Sequence, residues 1–374
     1  MIYIDVSAAF HSRAGLGRYS ESLAAALLAD KPEDYALFYN RGGDGRFPAT
    51  LPTGIPQKHI NLGYKPWRMA VLMAQRFKVS FKQLVPDAVL FHSTEHLLFP
   101  LHKTPAVLTV HDLIFKLYPD YHKRMNLWYL NEAMPLYCER AQAIIAVSES
   151  TKRDIVNNYG TDPLKIHVVY EAAADHFKPP SAEQIDAVRR KYELPRRFLI
   201  HLSTIEPRKN LDRLLDALLA VRQVHPDLHL VLAGGKGWLF DEFFARIESQ
   251  GLSNFVRSLG WVPDEDLPAV LAAADLAVQP SLYEGFGLPV LEHMACGQVV
   301  AASNAASHPE VGGEAAAYFD PTDVSAMATV ILSLLNDDME YAQRRESGLI
   351  QAAKFSWQRA ARETRAVYDN LLEH

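Results

Sequence analysis

Residues 276–302 read LAVQPSLYEGFGLPVLEHMACGQVVAA, and this stretch decides the fold. Two short apolar runs, Leu276–Gln279 and Val299–Ala302, predict buried strands, and a segment of helical period, Val290–Ala295, lies between them. A glycine-rich turn follows the first run. Pro289 then stands near the first helical position, where its missing N–H has no helical partner to lose. A strand, a helix and a second strand in this order predict a parallel βαβ unit.

The same alternation continues over most of the 374-residue chain. Helix-period segments such as Tyr19–Leu28 and Leu211–Val221 separate further apolar runs, which implies parallel sheets covered by helices on both faces. Ten further runs predict strands: Ile2–Val6, Ala36–Tyr39, Ala88–Phe91, Ala106–Val110, Ala143–Val147, Ile166–Val169, Phe198–Leu202, Leu228–Leu232, Val256–Leu259 and Ala317–Phe319.

A domain joint is expected near residues 172–180, where a double proline ends the segment and Ser181 is suited to cap a new helix. We expect an N-terminal Rossmann-like domain over 1–175 and a C-terminal one over 176–374, with a last helix, about 356–372, packing back on the first domain. Two doubly wound domains of this kind face each other across a cleft and bind ligands at the carboxyl ends of their strands. A surface loop inside one large domain is the alternative.

Composition excludes a disordered chain, a collagen-like chain and a coiled coil. Apolar residues make up 49% and charged residues 22% of the chain, as in soluble globular proteins. Two cysteines, Cys138 and Cys296, are too few for a disulfide framework and fit a reducing compartment. The chain has no apolar run of 18 residues, and its start, MIYIDV, has no signal-peptide pattern. We therefore expect a cytoplasmic protein, with the inner face of the membrane as one place of action.

The charge is uneven along the chain. Residues 1–175 hold 19 basic and 17 acidic side chains, and residues 176–374 hold 19 and 27, so nucleic acid is not an expected partner. Gly45–Pro86 contains no acidic residue but seven cations, and aromatic residues lie among them. We hypothesise that this segment, 45–86, contacts a membrane surface or the pyrophosphate of a lipid-linked acceptor. A solvated basic surface is the alternative, since the apolar positions from Trp67 to Val85 form no clean helical face.

The turn inside the opening stretch carries candidate binding groups. Amides at a helix start bind anions or sugar hydroxyls, and carboxylates accept hydrogen bonds from hydroxyls. A structural turn with two solvated glutamates is the alternative. The candidates are Glu284, Gly285, Phe286, Gly287, Leu288 and, eight positions after the first glutamate, Glu292.

This stretch resembles the signature of the family 4 glycosyltransferases, which are retaining enzymes with the GT-B fold. The resemblance implies two Rossmann-like domains across a cleft and transfer of a sugar from a nucleotide-diphosphate sugar to a hydroxyl. Six other segments match family motifs in order: AGLGRY (Ala14–Tyr19), VHD (Val110–Asp112), SESTKRDI (Ser148–Ile155), EPRKN (Glu206–Asn210), SHPEVGG (Ser307–Gly313) and FDPTD (Phe319–Asp323).

In the first domain, Gly15 and Gly17 follow the first predicted strand, where glycine permits a tight turn and close backbone approach. The resemblance implies that the N–H of Gly17 meets a donor phosphate. It also places His111, at the end of a strand, beside the donor sugar, where a neutral imidazole would bond a hydroxyl or shuttle a proton. A plain turn and a structural histidine are the alternatives.

In the second domain, Arg208 and Lys209 precede the helix Leu211–Val221. Cations are unfavourable at a helix N-terminus unless an anion binds there, and the resemblance assigns Lys209 to the nucleotide diphosphate. The family often has an arginine six positions before that lysine, where this chain has Ser203. We expect Arg208 or the Ser203 hydroxyl to take the place of that arginine in binding the diphosphate.

The resemblance further implies that Glu292 binds the ribose and that Gly234, Trp261 and Val262 line the base, with plain turns as the alternative. Asp264–Asp266 has the D-x-D form of some metal sites, but its place before a helix favours capping and helix-dipole roles.

His92, Glu95 and His96 have metal-like spacing, and an acceptor-side loop is favoured there. We expect neither a metal nor another cofactor.

The sequence thus predicts a retaining, metal-independent hexosyltransferase with His111, Glu284 and Lys209 as catalytic candidates. GDP-mannose is the favoured donor, and a glycan or lipid-linked hydroxyl is the acceptor. Alternatives are a UDP-glucose or other UDP-sugar enzyme and a non-catalytic nucleotide-sugar-binding protein. Less favoured are an epimerase, a phosphorylase, a glycosidase that pairs Glu284 with Glu292, and a periplasmic sugar-binding protein.

Overall fold

The computed structural model describes residues 1–11, 14–238 and 240–373 of the chain. It divides into two compact units. Unit 1 comprises Met1–Glu171 and Ser356–His374, and unit 2 comprises Ala172–Phe355. Each unit contains one parallel sheet and its own apolar core, which confirms the predicted α/β class.

Unit 1 is built on a seven-stranded sheet of order β3-β2-β1-β4-β5-β6-β7, in which all pairs are parallel. Its strands are β1 (Ile2–Asp5), β2 (Tyr35–Asn40), β3 (Gln57–Ile60), β4 (Leu90–Ser93), β5 (Ala106–Val110), β6 (Ala143–Ala146) and β7 (Ile166–Val168). Its first six helices are α1 (Ser7–Phe10), α2 (Ala14–Asp30), α3 (Tyr64–Arg76), α4 (Ile114–Leu117), α5 (Arg124–Arg140) and α6 (Glu149–Tyr159).

Unit 2 is built on a six-stranded parallel sheet of order β10-β9-β8-β11-β12-β13. Its strands are β8 (Phe198–Leu202), β9 (His229–Ala233), β10 (Val256–Gly260), β11 (Leu276–Gln279), β12 (Val300–Ser303) and β13 (Ala317–Phe319). Its helices are α7 (Ala182–Lys191), α8 (Leu211–Val221), α9 (Asp241–Ser249), α10 (Leu267–Ala272), α11 (Leu288–Ala295), α12 (His308–Gly312), α13 (Val324–Asn336) and α14 (Asp338–Ala352).

The last helix, α15 (Trp357–Leu372), belongs to unit 1 and packs on α2. Ser356 caps it by accepting a hydrogen bond from the N–H of Arg359. The buried Tyr368 lies against β4, where its hydroxyl is 2.5 Å from Nδ1 of His92. The chain therefore returns to its first unit after completing the second.

In segment 45–86, apolar periodicity did not predict the secondary structure. Strand β3 was not predicted, because its QKHI sequence lies at the sheet edge with no fully buried position, so it contains no apolar run. Helix α3 ends at Arg76, whereas the sequence analysis tested a helical face as far as Val85. Trp67 points into the core and stacks on Phe81, at 5.6 Å between ring centroids.

Strand order reverses once in each sheet. In unit 1 the reversal lies between β1 and β4, and in unit 2 it lies between β8 and β11. At such a point the two connections leave toward opposite faces of the sheet, which opens a crevice at the carboxyl ends of the two central strands. Loops after β8 and β11 therefore start beside one another. Across the described residues, no helix has the length and apolar character needed to cross a bilayer.

Candidate functional site

Two loops meet at the carboxyl ends of β8 and β11. Nζ of Lys209, after β8, donates to Oε1 of Glu284, after β11, at 2.7 Å. Nη1 of Arg208 donates to Oε2 of Glu284 at 2.6 Å and to the carbonyl oxygen of Tyr283 at 2.8 Å. Lys209 and Glu284 are 75 positions apart in the chain, so only the parallel sheet brings them together.

The ion pairs of Glu284 are largely removed from water. The side chains of Arg208, Lys209 and Glu284 are 14%, 8% and 11% exposed. Burial by itself would raise the pKa of Glu284, but the two cations outweigh it and hold that pKa well below its usual range. Burial and the neighbouring Arg208 lower the pKa of Lys209. Glu284 is therefore a carboxylate at neutral pH.

A second carboxylate completes the cluster. Glu206 accepts a hydrogen bond from Nη2 of Arg208, and its side chain is 4% exposed. With Glu284 it balances both cations. The sequence analysis placed Arg208 and Lys209 at the unfavourable start of a helix; they lie instead on a short 3₁₀ turn, Pro207–Lys209, before α8. These cations therefore do not require a bound diphosphate to be stable.

Asn210 fixes the direction of this turn. Its backbone is left-handed, with φ +59°, a conformation that asparagine adopts more readily than most residues. Its side-chain Nδ2 donates to the carbonyl oxygens of Pro280 at 3.0 Å and Pro321 at 2.7 Å. One amide thus joins the loops that follow β8, β11 and β13.

The glycine turn after β11 is closely packed. Gly287 has φ +100° and precedes α11, which begins at Leu288 with Pro289 in its first turn, as predicted. A Cβ at Gly287 would lie 2.9 Å from Cδ2 of His308. Ser307 Oγ lies 2.9 Å from the carbonyl oxygen of Glu284 and 2.6 Å from that of Phe286, within reach of donating to either. Its hydroxyl therefore helps to hold the turn.

His308 is a candidate that the sequence analysis missed. Ser303 donates its hydroxyl to the carbonyl oxygen of Ser281 at 2.7 Å, so Nδ1 of His308, 2.9 Å from Ser303 Oγ, must carry the ring hydrogen. Burial lowers the pKa of His308 to about 4, which leaves Nε2 unprotonated beside the turn. The segment SHPEVGG contains this histidine, so the sequence offered a signal for it. Its spacing from other polar residues did not indicate which side chain it would contact.

Ser203, which the sequence analysis named with Arg208 as a replacement for the family arginine, has two acceptors near its hydroxyl. Nδ1 of His201 donates to the carbonyl oxygen of Val278 at 2.9 Å, so its Nε2 is an acceptor while the ring is neutral. Burial lowers the pKa of His201 to about 4. Ser203 Oγ lies 2.6 Å from that Nε2 and 3.0 Å from the carbonyl oxygen of Thr204. Its proton is directed at one of these two acceptors, and its role in diphosphate binding stays a prediction.

The remaining predicted residues of unit 2 lie at neighbouring strand ends. Gly234, after β9, donates its N–H to the carbonyl oxygen of Gly260 at the end of β10, at 2.8 Å. The next residue, Trp261, is 71% exposed, whereas Val262 is buried. Glu292 is buried on α11. Gly285 and Phe286 are also buried, and Leu288 is half-buried.

In unit 1 the predicted glycine turn is wrong. Gly15 and Gly17 lie in the first turn of α2, so both have helical backbone and neither forms a strand-to-helix loop. Ser12 and Arg13, which precede that helix, fall outside the described residues. An added Cβ at Gly15 meets nothing within 4 Å, so packing does not require glycine there.

His111 follows β5 and is held on both sides. Its Nε2 lies 2.9 Å from the carbonyl oxygen of Thr94, and its Nδ1 lies 3.2 Å from Oε1 of Glu171. Burial opposes its charge, but the hydrogen bond and charge of Glu171 outweigh burial and raise the pKa of His111. Two acceptors on one ring favour the imidazolium form. This differs from the neutral, hydroxyl-binding imidazole expected from the sequence.

The metal-like patterns are explained by other contacts. Asp266 stands at the N-cap position of α10 but makes no side-chain cap; its carboxylate binds Nζ of Lys191 at 2.6 Å and the hydroxyl of Tyr192 at 2.5 Å. Nε2 of His96 accepts the backbone N–H of His111 at 3.0 Å. His92 bonds Tyr368 and Thr109. In the described ranges, no three His, Cys, Asp or Glu side chains are grouped as a metal site would need.

Comparison with known proteins gives two matches to family models. The model described as "Glycosyltransferase Family 4" matches residues 13–176, and the model described as "Glycosyl transferases group 1" matches residues 184–351.

Two curated relatives are mannosyltransferases from Escherichia coli. O-antigen chain mannosyltransferase B is 35% identical over 371 residues, which is 96% of each chain. Serotype-specific mannosyltransferase WbdA is 32% identical over 345 residues, which is 87% of this chain and 41% of WbdA. Among solved structures, Anabaena HepE in complex with UDP and glucose matches with a TM-score of 0.76 at 20% identity, covering 98% of this chain and 99% of HepE. This likeness confirms the GT-B fold.

Position 234 requires glycine for two reasons: a side chain there would clash with a neighbouring strand end, and the backbone has a positive φ. A Cβ there would lie 1.9 Å from the carbonyl oxygen of Ser203, and φ is +135°. We expect Gly234→Ala to lower the free energy of unfolding by about 2–4 kcal/mol because the ends of β8 and β9 must separate. The matched control is Gly235→Ala, whose Cβ meets nothing within 4 Å and whose expected cost is below about 1 kcal/mol. Equal denaturant midpoints for the two variants would contradict this account.

Stability is expected to fall as pH drops from about 6.5 towards 4, because histidines buried in the neutral form take up protons mainly after unfolding. Glu284 acts in the same direction at lower pH, since its pKa is lowered by folding. Urea unfolding measured at several pH values across this range tests the prediction. A urea midpoint that does not change with pH would refute it. The histidines are His201 and His308, with pKa about 4, and His293, with pKa about 3, in unit 2, and His92, about 3, and His96, about 4, in unit 1.

Proposed function

The chain belongs to glycosyltransferase family 4, and from this premise we propose that it is a retaining mannosyltransferase that uses GDP-mannose. It is a glycosyltransferase that acts on glycan acceptors. The observation that supports a nucleotide-diphosphate donor is the pair of cations, Arg208 and Lys209, at the reversal of strand order in unit 2. The acceptor group is proposed to be a hydroxyl of a glycan or of a lipid-linked glycan.

Lys209 has hydrogen-bond donors left for a ligand. Nζ of Lys209 carries three hydrogens, and within the described structure Glu284 takes one of them. We propose that the diphosphate accepts from the other two, with the N–H of Leu288 at the start of α11 directed at the donor. Because the cations are already placed by Glu206 and Glu284, they need no rearrangement when negative charge develops on the leaving diphosphate.

The state of Glu284 bears on stereochemistry. A carboxylate that accepts from two cations at 2.6 and 2.7 Å has little charge available for attack on an anomeric carbon. We propose that Glu284 positions Arg208 and Lys209 and accepts from sugar hydroxyls, without forming a covalent bond. Retention would then arise on one face of the sugar, with the leaving diphosphate taking the acceptor proton. The role of His111 in donor binding stays a prediction of the sequence.

GDP-mannose is favoured because the relative that matches 96% of this chain is named as a mannosyltransferase, and so is WbdA. The exposed Trp261 offers a flat apolar surface for a purine or a pyrimidine and so does not select between them. A UDP-sugar donor remains the second candidate, supported by the fold likeness to HepE, which was solved with UDP and glucose. We propose metal-independent transfer, in which the two unused hydrogens of Lys209 Nζ bind the diphosphate directly.

Calorimetric titration with GDP, UDP and ADP, with and without Mg²⁺, tests the donor site. We expect metal-independent binding with GDP preferred. Lys209→Ala should weaken GDP binding by about 10- to 100-fold, since it removes a charge-assisted hydrogen bond to phosphate.

Lys191→Ala is the matched control, because Lys191 is exposed and pairs with Asp266, at the N-cap of α10. Thermal unfolding of both variants separates lost binding from lost folding. Preference for UDP would overturn the proposed base, and absence of binding to any nucleotide would refute the donor site.

Product analysis tests catalysis and stereochemistry. With GDP-mannose and a mannoside acceptor, we expect an α-linked product by NMR, formed equally in excess EDTA. Glu284→Ala in azide should yield no mannosyl azide, because no covalent intermediate is proposed. A β-linked product or a mannosyl azide would contradict the mechanism. No turnover of any donor, with nucleotide binding intact, would favour the non-catalytic alternative.

A further inference from the structure

Large apolar side chains at the surface are concentrated on one part of unit 1. Fifteen such side chains are exposed among the described residues, and seven of them lie on or beside α3 and α5. These seven are Leu62, Met69, Met73, Phe77, Val79, Met125 and Trp128. A concentration of exposed apolar side chains on neighbouring elements is typical of a site of interaction.

Helix α3 presents two different faces. Trp67, Val71 and Leu72 point into the core of unit 1. Met69, Met73 and Phe77 are spaced by four residues, so they lie on one side of the helix, and they are 38%, 42% and 69% exposed. The exposed positions of the helix and its C-cap, here named the α3 face, are Lys65, Pro66, Met69, Met73, Arg76 and Phe77.

The neighbouring helix extends this surface. Nη1 of Arg68 on α3 donates to Oδ1 of Asn126 on α5 at 2.8 Å, and its guanidinium lies 3.7 Å from the ring centroid of Tyr129. Met125 and Trp128 on α5 are 73% and 46% exposed. The two helices therefore lie side by side, each with apolar side chains turned to solvent.

The charged residues of the α3 face itself, Lys65 and Arg76, are both cations. Exposed cations stand at both ends of α3, Lys65 and Lys78, and segment 45–86 contains no acidic residue. Lys78 has a left-handed backbone, φ +55°, directly after the helix. Glu132 on α5 is the acidic residue paired with α3, and Arg76 neutralises it. Lys123 and Arg124 begin the exposed end of α5.

We propose that the α3 face docks on an anionic lipid bilayer, with Met69, Met73 and Phe77 entering the head-group boundary and Lys65 and Lys78 contacting lipid phosphates. A bilayer accepts flexible apolar side chains without a complementary shape, and anionic head groups match the surrounding cations. Helix α3 has 13 residues, about 20 Å, so it lies along the interface and does not span it. This inference does not depend on the proposed sugar donor.

Vesicle flotation of the whole chain tests the docking. We expect binding to vesicles that contain phosphatidylglycerol, weak binding to phosphatidylcholine alone, and loss of binding in high salt. Lys65→Gln with Lys78→Gln should weaken partitioning about 25-fold, since each cation near an anionic surface is worth about fivefold. Met69→Ser with Met73→Ser and Phe77→Ser should weaken it at least about tenfold.

The matched controls lie on α14, where Met339 and Ile350 are 84% and 61% exposed. Met339→Ser with Ile350→Ser should leave partitioning unchanged, and thermal unfolding should show that all variants are folded. If the α3 variants bind vesicles as well as the original chain does, the proposal is wrong.

A fluorescent label reports insertion directly. Both natural cysteines, Cys138 and Cys296, are buried, so a label at Phe77→Cys can be placed selectively. We expect its emission to shift to the blue with anionic vesicles, and no shift for the same label at Met339→Cys. Binding without a shift at position 77 would overturn insertion. A shift caused by self-association, in the absence of lipid, would make the α3 face a protein interface and would also overturn the proposal.

Discussion

The ion pairs of Glu284 with Lys209 and Arg208 join the two loops on which the candidate donor site depends. These loops follow β8 and β11, the neighbouring strands at which the sheet of unit 2 reverses its order. Buried charges are tolerated only when each is compensated, and removal of one partner leaves the others uncompensated in a medium of low dielectric. The positions of both cations are therefore fixed by the folded protein before any ligand binds.

The packing around these ion pairs follows from that constraint. Asn210 takes a left-handed backbone and anchors the cation turn to the carbonyl oxygens of Pro280 and Pro321. Gly287 lets the opposite turn approach His308. Burial lowers the pKa of the nearby His201 and His308 and keeps both rings neutral, so charge in this region resides on a few groups at neutral pH. Because the nearby histidines are neutral, the electrostatic field at the strand ends comes mainly from Arg208, Lys209 and their two carboxylate partners.

Unit 1 organises its polar residues differently. His111 is held between a carboxylate, Glu171, and a main-chain carbonyl, an arrangement that favours charge on a buried ring. The edge of Tyr19 meets the same ring at 4.6 Å between centroids, and its hydroxyl bonds Thr109, which also bonds His92. Through Tyr368, this chain of contacts reaches α15. The last helix of the chain thus contributes to the surroundings of a residue more than 250 positions earlier.

The amino-acid sequence by itself determined the strands other than β3, several of the helices, the parallel α/β class and the family, because apolar periodicity and turn residues act over a few neighbouring positions. It did not reveal β3, whose edge position removes the apolar run. Only the tertiary structure decided that Arg208 and Lys209 are paired by Glu206 and Glu284, and that the proton of Ser203 is turned inward. Charge pairing and hydrogen-bond direction depend on distances of about 3 Å between residues far apart in the chain, which sequence spacing does not encode.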